Sequence, residues 1–144
     1  MSMLEAMCQT IGIVRPRNLS NEEALFLEAD IFSHVYDSLK NFFKAQYINY
    51  FNVMKFNLEM ENTMLENNFM RYLINDILLS EAYSLTGIAY YTQTPEEVIY
   101  DLATGLNIHP SLPLSRKIIN LHRDIRPDLY RDIFKKFQEN LPVS

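Results

Sequence analysis

Apolar residues recur at intervals of three or four along most of the chain, which is the period of an α-helix. A capping box, Ser20-Asn-Glu-Glu23, precedes the clearest example, because the serine hydroxyl can accept a hydrogen bond from the Glu23 amide. Apolar side chains then follow at spacings of three, four and seven, at Leu25, Phe32, Val35, Leu39 and Phe42. The pattern predicts a long helix that begins after Ser20.

The chain before this helix is harder to assign. Thr10-Ile-Gly-Ile-Val14 is rich in β-branched residues, so it predicts either a short strand or an arm laid against a partner. Arg15-Pro-Arg17 then ends any regular element, because a proline disfavours the helical conformation of the residue before it.

The segment 47–60 is unusually apolar. As a helix it would carry apolar side chains on more than one face, which a single small bundle would struggle to cover. One interpretation is burial in a homodimer, with the candidate interface residues Tyr47, Tyr50, Phe51, Met54 and Phe56. The other is a central helix in the monomer's own core.

Capping signals divide the second half of the chain into shorter helices. Apolar residues from Phe69 to Leu78 form an i, i+4 stripe, and Ser84 can cap a short helix after it. Residues 94–97 (Thr-Pro-Glu-Glu) form a second capping box with proline at the first helical position, and Gly105 is a suitable C-cap. Two more amphipathic helices follow, the first capped by Ser111, with the apolar stripes Leu114, Ile118, Leu121 and Leu129, Ile133, Phe137.

Two short helices joined by a tight turn must cross closely, and Ala89 provides the small side chain that the crossing needs. An ordered set of positions surrounds it: Leu85, Ile88, Thr92, Pro95, Ile99, Gly105 and Pro110-Ser-Leu112. With this set, residues 69–122 resemble the helix-turn-helix family of the lambda-repressor or Xre type.

The resemblance implies an all-α protein that binds DNA as a transcriptional regulator and is a homodimer. Residues 1–65 would be an arm and a helical region that forms the dimer interface, and residues 66–144 would be a helix-turn-helix domain with a C-terminal helix. The implied DNA-contacting candidates are Ser84, Thr94, Glu97, Tyr100, Thr104, Asn107, Arg116, Lys117 and Arg123.

Two features depart from the family pattern. Gln93 occupies the turn position that usually holds glycine, so we expect a positive φ there. The outward face of the second helix would carry Pro95, Glu96, Glu97, Tyr100, Asp101 and Thr104. A carboxylate can accept a hydrogen bond from cytosine N4, but three acidic residues would also repel the phosphates. The alternative is therefore a protein-interaction or adaptor module that has this fold and does not bind DNA.

The charge distribution leaves both functions open. The formal net charge of −5 combines a net of −8 over residues 1–105 with a net of +3 over residues 106–144. An acidic body repels nucleic acid, whereas a basic end can meet phosphates. Arg15, Arg17, Arg116, Lys117, Arg123 and Arg126 are the cations that can compensate for the acidic helix.

No sequence feature predicts catalysis, a metal site or a cofactor. His34, His109 and His122 are scattered without metal-ligand spacing, and the single Cys8 has no neighbouring base. Glycine-rich phosphate loops and paired-histidine protease motifs do not occur. With no secretory signal and no long apolar run, we expect a cytoplasmic protein without a membrane segment.

Overall fold

The computed structural model describes residues 2–14 and 18–140, and all regular secondary structure in these residues is α-helical. The prediction of an all-α fold is thus confirmed, while the arm residues Arg15 and Arg17 lie outside the described residues. The helices are α1 (Met3–Ile11), α2 (Asn21–Gln46), α3 (Ile48–Val53), α4 (Leu58–Asn67), α5 (Phe69–Leu79), α6 (Leu85–Thr92), α7 (Glu96–Thr104), α8 (Leu112–Ile125) and α9 (Pro127–Glu139). In this part of the chain, no helix has both the length and the apolar content that a bilayer span requires.

The chain divides into two compact units. Unit 1 contains the residues up to Leu39 together with those from Arg126 onward, and unit 2 extends from Lys40 to Ile125. The division groups residues by their packing, so the predicted functional boundary after residue 65 stays a prediction.

Unit 1 is built from α1, the first part of α2, and α9, with α1 packed against α9. Its apolar core contains Met3, Leu4, Met7, Ile31, Val35, Tyr130, Ile133 and Phe134. The Glu28 carboxylate accepts hydrogen bonds from the amides of Met3 and Leu4. These amides lie in the first turn of α1, where backbone donors have no carbonyl partner within the helix. A negative charge at this helix end also complements the helix dipole.

The expected strand or arm at Thr10–Val14 is wrong for its first part, because α1 continues to Ile11. Gly12 then ends the helix in the left-handed region with φ 73°, and the Ile13 amide donates to the Cys8 carbonyl at 3.1 Å. Glycine adopts this conformation without steric cost. The burial of Met3, Leu4 and Met7 stabilises α1, and Gly12 sets its end. These two effects outweigh the β-strand preference of the β-branched residues.

The N-terminal cap of α2 is confirmed, since the Glu23 amide donates to the Ser20 hydroxyl at 3.1 Å. The predicted apolar stripe holds at Val35 and Leu39, which are fully buried, but it fails at Leu25, which is exposed on the first turns of the helix.

Unit 2 begins with the end of α2 and continues through α8. Helix α5 packs against α7 and α8, and α6 packs against the same two helices.

Two ion pairs join the end of α2 to α4. Lys40 pairs with Glu66 at 3.1 Å, and Lys44 pairs with Glu61 at 3.4 Å. These partly exposed pairs contribute little stability.

The single helix expected across residues 47–60 is wrong, because the chain breaks between α3 and α4. Lys55 adopts a positive φ of 56°, and the amides of Lys55 and Phe56 donate to the carbonyls of Asn52 and Phe51 at 3.2 and 3.0 Å. This hydrogen-bond pattern is a Schellman motif. The rings of Phe51 and Phe56 stack at 5.8 Å, which is the apolar contact that commonly accompanies the motif.

Asn57 begins the next helix on the other side of the break. Its side-chain oxygen accepts from the Met60 amide at 2.8 Å, and its backbone is extended with ψ 174°. This is the geometry of an N-cap, and it is incompatible with a continuous helix through Asn57.

A buried polar contact joins α5 to α8 in the core of unit 2. The His122 ring nitrogen Nε2 lies 2.7 Å from a carboxylate oxygen of Asp76, and both side chains are almost completely excluded from solvent. The ring of Phe43 lies beside the imidazole, with a centroid separation of 6.5 Å. Each of the two polar groups therefore gives the other a hydrogen-bond partner in a region that water does not reach.

The break between α3 and α4 predicts the effect of Asn57→Ala. Loss of the N-cap hydrogen bond should lower the free energy of unfolding by about 1 kcal/mol, measured by urea denaturation. Asn52→Ala is the matched control, because Asn52 lies inside α3 and is exposed, so alanine should be neutral or slightly stabilising there. A gain in stability from Asn57→Ala would contradict the break, since alanine favours a continuous helix.

Candidate functional site

The candidate site is the pair of short helices α6 and α7 and the turn of residues 93–95 between them, named here the α6–α7 pair. The predicted Ser84 cap is confirmed, since its hydroxyl accepts from the Gly87 amide at 3.0 Å. Ile88, Ala89 and Thr92 on α6 and Ile99 and Leu102 on α7 are buried. The buried Thr92 hydroxyl donates to the Ile88 carbonyl at 2.9 Å, so its burial leaves no unpaired donor.

The turn opens with a Schellman motif like the one that ends α3. Gln93 has a φ of 54°, which confirms the positive φ expected at this position. The amides of Gln93 and Thr94 donate to the carbonyls of Tyr90 and Ala89 at 3.2 and 3.0 Å. These bonds satisfy carbonyls at the end of α6 and reverse the chain direction within a few residues.

The capping box predicted at residues 94–97 is wrong. Pro95 has φ −55° and ψ 140°, so it lies outside the helix and α7 begins at Glu96. The Thr94 hydroxyl donates instead to the Thr92 carbonyl at 3.1 Å. Because proline at this position can either start a helix or precede it, the sequence alone did not separate the two cases.

Glu96 takes a role that the sequence did not indicate. One of its carboxylate oxygens accepts a hydrogen bond from the Thr86 hydroxyl at 3.1 Å, which links the first turn of α7 to the first turn of α6. The carboxylate also lies at the helix N-terminus, where the dipole favours negative charge.

One face of α7 is open to solvent along its whole length. Glu96, Glu97, Tyr100 and Thr104 are exposed and Asp101 is partly exposed, as expected from the sequence. The Thr104 hydroxyl donates back to the Tyr100 carbonyl at 2.9 Å. Neither α6 nor α7 contains a lysine, an arginine or a histidine, so the intrinsic charge of this face is negative.

Open grooves flank the start of α7. One, of about 1050 Å³, is lined mainly by Tyr83, Thr86, Tyr90, Tyr91 and Pro95. A second, of about 450 Å³, lies between Leu85, Glu97 and Tyr100. The surface thus offers aromatic rings and carboxylates side by side.

Tyr91 is the titratable group of this groove whose pKa shifts. Partial burial raises the pKa of its phenol above 10.0, and the nearby Asp124 and Tyr83 raise it further while Arg123 opposes them. Arg123, one of the candidate DNA contacts, therefore lies near the aromatic groove.

The cations of the site come from the neighbouring helices. Lys117 on α8 donates from Nζ to the Thr92 carbonyl at 3.1 Å and so caps the end of α6.

Arg71 on α5 lies beside Gly105, where a Cβ atom built on the glycine would be 3.4 Å from the arginine Nη1. Gly105 ends α7 with φ 79°, which confirms the predicted C-cap. Arg71 was not predicted, because nothing in the local sequence indicates that α5 passes the end of α7.

Two other candidates lie on the loop after α7 and on α8. The Asn107 side-chain oxygen accepts from the His109 amide at 3.0 Å. Arg116 is partly buried, with a buried Nε atom that has no hydrogen-bond partner in the described part of the chain. The predicted Ser111 cap of α8 is confirmed by the Leu114 amide, which donates to its hydroxyl at 3.3 Å.

The structure separates the five dimer-interface candidates into two groups. Phe51 is only 1 % exposed and lies in the core of unit 2 instead of on its surface. Phe56 stacks on Phe51, and Tyr47 stacks on Tyr72 with a centroid separation of 4.6 Å. Burial, aided by Tyr47, raises the pKa of the Tyr72 phenol. Tyr50 and Met54 remain exposed.

Among the described residues of unit 1, the ionisable side chains form no comparable site. His34 places Nε2 2.9 Å from the Ile133 carbonyl, and its ring packs against Phe137 at 5.4 Å. Cys8 is buried. Among residues 2–14 and 18–140, no group of three or more His, Cys, Asp and Glu is arranged to hold a metal ion.

Comparison with known proteins adds no relative: no family model, no curated protein and no solved structure matches the chain. The resemblance to the lambda-repressor type therefore stays a prediction from the residues, and the function must be argued from the geometry of the site.

The left-handed conformation of Gln93 predicts the effect of Gln93→Gly. A non-glycine residue in this region is strained by about 1–2 kcal/mol, and part of that gain is offset by the chain entropy of glycine. We expect a net gain of about 0.5–1 kcal/mol in the free energy of unfolding, measured by urea denaturation. Gln93→Val is the control of opposite sign, because a β-branched residue should be destabilising there. Equal stabilities for the two variants would contradict the turn.

Proposed function

We propose that unit 2 is the helix-turn-helix module of a DNA-binding transcriptional regulator that acts as a homodimer, with α7 as the recognition helix. The observation that carries the proposal is the α6–α7 pair itself: two short helices locked by a left-handed turn, with one face of α7 open from Glu96 to Thr104. In helix-turn-helix proteins the second helix enters the major groove with its N-terminal residues towards the bases.

The groups on the open face have a limited set of base contacts. The hydroxyls of Tyr100 and Thr104 can donate or accept, and the Glu97 carboxylate can accept from cytosine N4. Glu96 is held by Thr86 at the start of α7, so its role in the proposal is structural.

Affinity for the phosphates must then come from outside α7. Arg71 beside Gly105 and Lys117 at the end of α6 lie at two sites on the edge of the α6–α7 pair. Arg116 and Arg123 on α8 add two more positive charges. This arrangement separates the positioning contacts on α5 and α8 from the specifying contacts on α7.

A second candidate function is a protein-interaction module that does not bind DNA. The observation that favours it is the absence of any basic residue on α6 and α7, together with the exposed Tyr90, Tyr91 and Tyr100 beside Glu96 and Glu97. Tyrosine is enriched at protein interfaces, and a negative surface selects a positively charged partner.

The substitution Glu97→Gln separates the two functions by the sign of its effect. If α7 approaches DNA, removal of this charge should strengthen binding to duplexes of random sequence several-fold at about 50 mM salt, measured by fluorescence polarisation, because the repulsion of phosphates acts on every sequence whereas a cytosine contact acts only at a specific site. If the face binds a basic protein, the same change should weaken that complex. Glu139→Gln on α9 is the matched control, because it removes the same charge from unit 1.

Arg71→Ala tests the phosphate contact directly. Its binding should weaken on all sequences alike, and the slope of log affinity against log salt should fall by about one. If neither the wild-type chain nor Glu97→Gln binds duplexes at about 10 μM protein and 50 mM salt, the DNA-binding proposal is wrong.

A further inference from the structure

Exposed apolar side chains are concentrated around the turn between α3 and α4. They are named here the α3–α4 patch and are Tyr50, Val53, Met54, Leu58 and Met60. Val53 is 79 % exposed and Leu58 is 63 % exposed, although both are aliphatic. Isolated exposed apolar side chains are ordinary, but a concentration of them between residues 50 and 60 is a candidate interaction surface. Three of its members, Val53, Leu58 and Met60, were not among the interface candidates expected from the sequence.

The patch has a fixed shape. The Schellman motif at Lys55, the stacked rings of Phe51 and Phe56 and the cap at Asn57 hold the turn on both sides. A surface that is already ordered loses little conformational entropy when it binds, so more of the apolar burial is available as affinity.

A groove along α4 includes Met60 of the patch. It has a volume of about 600 Å³ and is lined by residues of α4 and of the turn before it, among them Phe56, Met60, Thr63 and Met64. The same surface thus offers side chains that protrude and a groove that can receive them. A two-fold interface requires this property, because each copy uses the same surface as donor and as receptor.

The charges of the patch favour a second copy over a strongly charged partner. Between residues 48 and 60 the charged residues are Lys55 and Glu59, which have opposite signs. Neither has an ion-pair partner within the described ranges of the chain. A two-fold axis between them would place Lys55 of each copy against Glu59 of the other.

We propose that two copies of this chain associate through the α3–α4 patch, with apolar side chains of each copy in the groove along α4 of the other and with reciprocal Lys55–Glu59 pairs. The inference rests on the proposed function only for the expectation of a dimer; its surface and its pairing come from the geometry of α3 and α4.

The association is tested by the mass of the full chain in light scattering. At about 100 μM, a dimer with a micromolar dissociation constant is well populated, so the wild type should have twice the chain mass of 17.0 kDa. Val53→Glu and Leu58→Glu should each raise the dissociation constant at least tenfold and yield monomer. Leu79→Glu is the matched control and should leave the dimer intact, because Leu79 lies at the end of α5 and its exposure of 76 % is between that of Leu58 and that of Val53. Circular dichroism verifies that each variant keeps its helices.

A charge exchange tests the pairing separately. Lys55→Glu should weaken the dimer, because it places two carboxylates against each other, and the double variant Lys55→Glu/Glu59→Lys should restore it. A wild type that is monomeric at 100 μM, a dimer unaffected by Val53→Glu and Leu58→Glu, or a double variant no better than Lys55→Glu would overturn the proposal.

The mass measurement contains no DNA, so it separates this proposal from the proposed function. A dimer that is broken by Val53→Glu but never binds duplexes supports the α3–α4 interface and contradicts the DNA-binding role. A monomer that binds duplexes supports the DNA-binding role and contradicts the α3–α4 interface.

Discussion

The hydrogen bond between His122 and Asp76 is the constraint on which the architecture of unit 2 depends. It joins α8 to α5 at 2.7 Å in a place that water does not reach. A polar group buried without a partner is costly, so each side chain stabilises the other in its buried position. Apolar packing alone tolerates small sliding of one helix along another, whereas a short polar contact between α5 and α8 favours the register in which the two groups meet.

The α6–α7 pair is placed by that register. Both of its helices pack against α5 or α8, and Lys117 on α8 caps the end of α6. Arg71 on α5 meets the end of α7 at Gly105. A shift of α8 along α5 would move the cap of one helix and the flank of the other together. The open face of α7 is therefore a consequence of the core contact as well as of its own sequence.

The sequence predicted those features that depend on local chemistry. The helix at residues 69–79 follows from its apolar period, and the caps at Ser84, Ser111 and Gly105 follow from residue types that favour helix ends. These signals act over three or four residues, so no knowledge of the fold is needed to recognise them.

The features that the sequence did not predict have two physical causes. Some residues at helix ends are compatible with more than one conformation. Lys55 ends α3 in a conformation that glycine usually adopts, and Pro95 precedes its helix instead of starting it. Other features join distant residues. His122 and Asp76 are 46 positions apart, and neither residue is unusual in its own helix. The position of Arg71 at the end of α7 was not predicted either, because Arg71 and Gly105 lie on different helices.

The most direct test of this account is a double-mutant cycle on His122 and Asp76, with His122→Leu, Asp76→Leu and the double variant compared by urea denaturation of the full chain. Each single change leaves a buried polar group without this partner, whereas the double change replaces both by apolar side chains. We predict a coupling of about 2–3 kcal/mol, with the double variant more stable than the sum of the single losses implies. Losses that add to within about 0.5 kcal/mol would show that the two side chains do not constrain each other and that their contact does not hold α8 on α5.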